Sequence, residues 1–160
     1  MMRIETVIKN FLKLSVLNTI VAIIFLFPIL IPQLAFPILI TEWPGIYMVL
    51  AYFIFLFSAV IGFIAWTFVY YLLWKLYEIK LIKKNLFYAQ VVLSEIGALL
   101  ACIFMYWGGY VGSSASYSGM SEFVVGVMME FATIPSGLGI GLILFGNLFG
   151  IINIILAWKE

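Results

Sequence analysis

Four long apolar runs separated by polar breaks set the pattern of this chain. They cover about 15–34, 46–74, 86–107 and 138–158. Each is long enough to cross a bilayer as a helix, which takes about 20 residues. The pattern predicts an all-α integral membrane protein. Its four transmembrane helices form two antiparallel hairpins within a single domain over residues 1–160.

The breaks between runs carry turn and interface signals. Pro28 and Pro32 sit in the outer half of the first run, where proline removes a backbone donor and bends or ends a helix. That run is longer than a signal-peptide core and no small-x-small cleavage site follows, which predicts an uncleaved first span. A short apolar linker with Gln33 before it, and with Pro37, Glu42 and Trp43 inside it, leads to the turn pair Pro44-Gly45. Trp43 and Tyr47 suit an aromatic belt at the membrane surface. The second run exceeds what a bilayer needs, so it tilts or emerges as helix. Gly108-Gly109 is expected to break the third run. Beyond it, Ser121 to Ile134 reads as a short surface helix with Ser121 as N-cap, or as an outer extension of the last span. Glu122, Gly126 and Glu130 line one face of it and Phe123, Val127 and Phe131 the other. Pro135-Ser136-Gly137 is expected to separate it from the fourth run.

Charge then orients the bundle. Four of the eight basic residues, Lys75, Lys80, Lys83 and Lys84, lie in the middle stretch 74–85. The other four, Arg3, Lys9, Lys13 and Lys159, lie near the two ends, and the two outer segments have none. Basic residues stay on the cytoplasmic side, so both termini and the middle loop are expected there, in the cell membrane. That loop is suited to anionic headgroups or to a cytoplasmic regulator. The composition, 66% hydrophobic and 9% charged, is far from the roughly 25% charged residues of a soluble domain.

The chain has no His, no Asp and one Cys, Cys102, within an apolar run. This removes Ser-His and Cys-His nucleophile arrangements and the usual metal ligands. No catalytic, cofactor or metal residues are expected, and no nucleic-acid partner. Met128-Met129 lacks the further soft ligands a copper site needs.

Small and polar residues mark the faces on which membrane helices meet. In the fourth run Gly139, Gly146, Gly150, Asn153 and Ala157 share a stripe. Gly146 and Gly150 are a candidate homo-oligomer contact, and Gly137 and Gly141 form a second pair. Ala51, Ser58, Gly62 and Ala65 mark the second run, and Gln90, Ser94, Gly97, Ala98 and Ala101 the third. Glu95 is the most informative residue. It lies eleven positions after Lys84, roughly 16 Å along a helix and near the middle of a ~30 Å core. A carboxyl there faces the bundle interior or water, or is protonated. Tyr88, Glu95 and Cys102 share a face at heptad spacing. Asn18, Thr19, Asn147 and Asn153 are the candidate partners. The candidate intramembrane polar site is Glu95 with Tyr88, Asn147 and Asn18; it is a proton or cation site, or packing glue between helices.

The order of features resembles a family. Phe11-Leu12-Lys13-Leu14 opens the first span and Phe27-Pro28 lies near its outer end. Leu72-Leu73, Leu76, Ile79, Asn85, Phe87, Val92-Leu93 and Ile96 follow through the middle. This is similar to the YoaS-like small four-span bacterial membrane proteins, a family whose domain has no known function. The family's Asp-x-x-x-x-x-Phe pattern has no counterpart here. The resemblance implies a sensor, regulatory or immunity role beside a helix-turn-helix regulator, and no catalytic residues. The expected function is therefore a non-enzymatic multi-pass membrane protein of that kind. The alternative is a small transporter or channel-like subunit working around Glu95.

Overall fold

The computed structural model describes residues 1–31 and 43–159. The outer end of the first expected span, with Pro32 and Gln33, and the linker residues Pro37 and Glu42 lie outside the described residues, as does Glu160. Four helices are long and apolar enough to cross a membrane. These are α1 (Ile4–Leu30), α2 (Ile46–Tyr77), α3 (Lys84–Tyr117) and α4 (Glu122–Lys159). Two short strands, β1 (Met2–Arg3) and β2 (Leu81–Ile82), pair antiparallel.

The helices outrun the apolar runs. α1 starts at Ile4 because Ile4, Val7, Phe11, Ser15, Asn18 and Ala22 recur at helical spacing and are all buried, so one amphipathic stripe crosses the polar start of the chain. α1 also continues through Pro28 to Leu30. At 1.5 Å per residue, the 34 residues of α3 and the 38 of α4 make rods of about 51 and 57 Å. Both exceed a ~30 Å hydrocarbon core.

Two expected breaks are corrected. Gly108-Gly109 lies inside α3, which runs on to Tyr117. These glycines serve close approach instead. A Cβ at Gly108 would stand 2.7 Å from the Ala132 Cβ, and one at Gly109 would stand 2.8 Å from the Met48 backbone nitrogen. Pro135 lies inside α4, so residues 122–134 are the first part of the last long helix and not a separate surface helix. A proline removes one backbone hydrogen bond. Membrane helices tolerate this where neighbouring helices and Ser or Thr side chains support the backbone, and here Ser136 donates to the Ala132 carbonyl at 2.6 Å.

α2 contains one π turn, Leu56–Ile61. It ends where Glu78 takes a left-handed conformation, φ 54°, with its N–H on the Leu73 carbonyl. Two core clusters stack along the bundle. One gathers Phe11, Phe63, Tyr70 and Phe87, with Phe11 5.3 Å from both Phe63 and Phe87, ring centre to ring centre. The other gathers Ala22, Ala51, Phe55, Ala98 and Cys102.

α3 and α4 share the most extensive contact; α2 packs on α3 with its first half and on α1 with its second. The α3–α4 seam is built from small residues. A Cβ at Gly97 would lie 2.6 Å from the Gly139 carbonyl oxygen, and one at Gly139 2.5 Å from the Ala101 nitrogen. Gly146 and Gly150, the candidate oligomer stripe, belong to this seam. Their Cβ positions are taken by Ser94 and by Gln90 of the same chain.

The stretches that carry the lysines and the arginine meet at one end. Met2 pairs with Ile82 and Arg3 with Leu81. Asn153 of α4 grips Lys83 from both sides, accepting from its N–H at 3.0 Å and donating to its carbonyl at 3.2 Å. Tyr77 and Trp158 pack with ring centres 4.9 Å apart.

Candidate functional site: a polar junction of three helices

The π turn of α2 is where the site begins. A wider turn takes carbonyls out of the regular ladder and is common at functional sites. Here two of its carbonyls accept from side chains of α1. Ser15 Oγ donates to Val60 O at 3.1 Å, and Asn18 Nδ2 to Ala59 O at 3.1 Å. Both donors lie on the buried stripe of α1, three residues apart, with Ser15 2% and Asn18 1% exposed.

The second hydrogen of the same Asn18 amide goes to Glu95 Oε2 of α3, at 2.8 Å. The short distance fits a hydrogen bond to a carboxyl group in a poorly hydrated place. Two oxygens converge on this one nitrogen, which fixes the amide orientation: its own oxygen there would face two acceptors. Glu95 is half-buried, and no Lys or Arg occurs from residue 85 to residue 158. One asparagine thus ties α1 to α2 and to α3. Chemically, the arrangement can hold or release a proton or a small cation on the carboxyl, or act as a fixed brace.

Of the predicted residues, the structure brings Asn18 to Glu95 and keeps Tyr88 and Asn147 away. Tyr88 is exposed, its ring under the Lys84 ammonium at 5.7 Å. Asn147 accepts from Trp66 Nε1 at 2.7 Å and donates to Ile143 O at 3.0 Å, a bond between α2 and α4. Thr19 bonds back to Ser15 O at 2.9 Å, and Asn153 is spent on Lys83. Cys102 is fully buried in the apolar cluster while Tyr88 is not, so the heptad face passes through two environments.

Sequence reasoning missed Ser15 and the two carbonyls. Ser15 had a signal, its place three residues before Asn18 on one stripe; the π turn had none. It also missed a second polar pair, Tyr70 donating to Gln90 Oε1 at 3.1 Å, with both residues fully buried. Among the described residues no three His, Cys, Asp or Glu side chains gather where a metal would sit.

No family model, curated protein or solved structure matches this chain.

Proposed function

We propose that this chain is a non-enzymatic multi-pass protein of the cell membrane, of sensor, regulatory or immunity type, with both termini cytoplasmic. Its adjustable element is the junction of Ser15, Asn18 and Glu95. The observation that carries the reading is the Asn18 amide, shared between the π-turn carbonyl of α2 and the carboxyl of α3. Loss of the acceptor at Glu95 alters what Asn18 binds, and so how α1 sits on the other helices. The orientation is supported by the basic stretches meeting at one end and by the positive-inside rule. The resemblance to YoaS-like proteins expected from the residues between Leu72 and Ile96 would make a cytoplasmic regulator its partner.

The test uses the second core cluster, which holds Ala22 of α1 and Cys102 of α3. A cysteine at Ala22 and the native thiol report the α1–α3 spacing through the disulfide they form under a membrane-permeant oxidant. Glu95→Leu changes the crosslinking yield, and Glu95→Gln, which keeps an acceptor, leaves it near the parent value. Equal yields in all three proteins sink the reading. A reporter fused near Ser116 is expected outside the cell; signal from inside overturns the orientation.

One observation favours a second reading. Glu95 keeps part of its surface open, as a proton or cation site in a small transporter or channel-like subunit would require. Proton or cation flux in liposomes, abolished by Glu95→Gln, would establish it; the absence of any flux removes it. A homo-oligomer through Gly146 and Gly150 would have to displace α3.

A further inference from the structure

At the end of the bundle remote from the basic residues, the first turns of α2 and the length of α4 both lean on α3. Between them lies a cavity of about 350 Å³, lined by Trp43, Tyr47, Met105, Met129, Thr133 and Ser136 among others. A second, shallower hollow of about 540 Å³ shares Thr133 and Gly137 with it and runs along α4 past Leu138, Gly141 and Phe145. The first volume falls within the roughly 300–1,000 Å³ of small-molecule sites, and the second is an open groove on the helix surface.

The floor of this furrow is open. Among the described residues, a Cβ at Gly126, Gly137 or Gly141 would meet nothing within 4 Å, unlike the seam glycines. From Thr133 to Phe145 the helix rises about 18 Å, the depth of roughly one leaflet of a ~30 Å core. The walls are apolar and the hydroxyls of Thr133 and Ser136 lie at the upper end. Glu130, Thr133, Gly137 and Gly141 are spaced by three, four and four residues, which puts them on one face of α4. Glu130 is exposed at the head of that face. No basic residue lies between 85 and 158, and Glu122 is the other acid of the outer segment. Glu130 lines neither hollow but stands one turn above Thr133 on the same face, so a headgroup reaching it would be favoured if cationic and disfavoured if anionic.

We propose that this face of α4 binds one membrane lipid with an ammonium-bearing headgroup, its acyl chain in the Gly137–Gly141 furrow and its head beside Glu130. The proposal rests on the membrane reading and not on the Glu95 junction, so it stands or falls separately from the sensor reading.

The full chain is reconstituted in vesicles of equal phosphatidylethanolamine and phosphatidylglycerol, extracted, and weighed by native mass spectrometry. One phosphatidylethanolamine is expected to stay bound, in about threefold excess over phosphatidylglycerol. Gly137→Leu and Gly141→Leu each lower its retention about tenfold. Both side chains enter open space, and circular dichroism checks that the variants fold as the parent does. Glu130→Gln abolishes the headgroup preference and keeps the lipid. Unchanged retention in both leucine variants overturns the site, and a preference for phosphatidylglycerol overturns the headgroup assignment. A wild-type dimer that either leucine variant dissolves, with no lipid retained, overturns the proposal in favour of a second copy of the chain.

Discussion

The α3–α4 seam and the attachment of α1 solve one problem in opposite ways. Lipid tails are as apolar as leucine, so neither contact gains much from burying apolar surface. The seam relies on the absence of side chains. Gly97 and Gly139 bring two backbones together, and Ser94 and Gln90 fill the places opposite Gly146 and Gly150. In its middle, α1 relies on polar side chains: Ser15 and Asn18 reach carbonyls that the π turn of α2 presents, and Asn18 reaches Glu95. A seam of interlocked backbones has one arrangement. A junction that depends on a shared amide has more than one, because its acceptors can change. On the proposed reading, α1 is the adjustable part of this molecule and the long α3–α4 pair the fixed part.

The comparison breaks most readily at the seam. Gly139→Leu pushes a side chain into the Ala101 nitrogen and the Gly97 carbonyl, atoms that cannot rotate away. The expected loss is about 3 kcal/mol or more, at the upper end of overpacking costs, read as a lowered melting temperature in detergent or as failure to accumulate in the membrane. Next comes Asn18→Leu, which deletes both bonds of the shared amide. With about 0.6 kcal/mol for an average polar contact between membrane helices and roughly 1.7 at most, a loss of about 1–3 kcal/mol is expected. The same measurement on Glu95→Gln should show a smaller loss than Asn18→Leu, since an acceptor remains. If Asn18→Leu is as stable as the parent, the polar attachment of α1 is not what holds it. Tyr70→Phe, which removes one bond to Gln90, sharpens the scale at about 0.6 kcal/mol. The smallest effect is expected at Gly126→Ala. It faces open space and should stay within about 0.5 kcal/mol of the parent, so a large loss there would show that open and closed glycines of α4 are not distinguished.

Much of this was legible from residues alone. The four spans follow from length and apolarity, which report the surrounding solvent directly. Asn18 was among the named partners of Glu95. What misled were rules learned in water. Gly108-Gly109 and Pro135 read as breaks, yet glycine and proline are commoner inside membrane helices, and each here answers to a neighbour rather than to solvent. Gly146 and Gly150 read as a surface for another copy, because a small-residue stripe shows that something approaches without showing what. Asn147 lies near Glu95 in depth, but depth does not fix azimuth, and it faces Trp66. The π turn left no trace because its only signature is the path of the backbone.

The pairing of β1 with β2 carries a consequence for how the chain is made. Met2 leaves the ribosome well before its partner Ile82, which follows only after two long apolar helices have been made. Until then the leading strand has nothing to dock on. When Ile82 arrives, the first hairpin closes into a ring at its polar end. Asn153, later still, clasps the neighbouring Lys83 and locks that ring to the last helix. Assembly at this face therefore finishes in the order of synthesis, at a joint that two later segments must find.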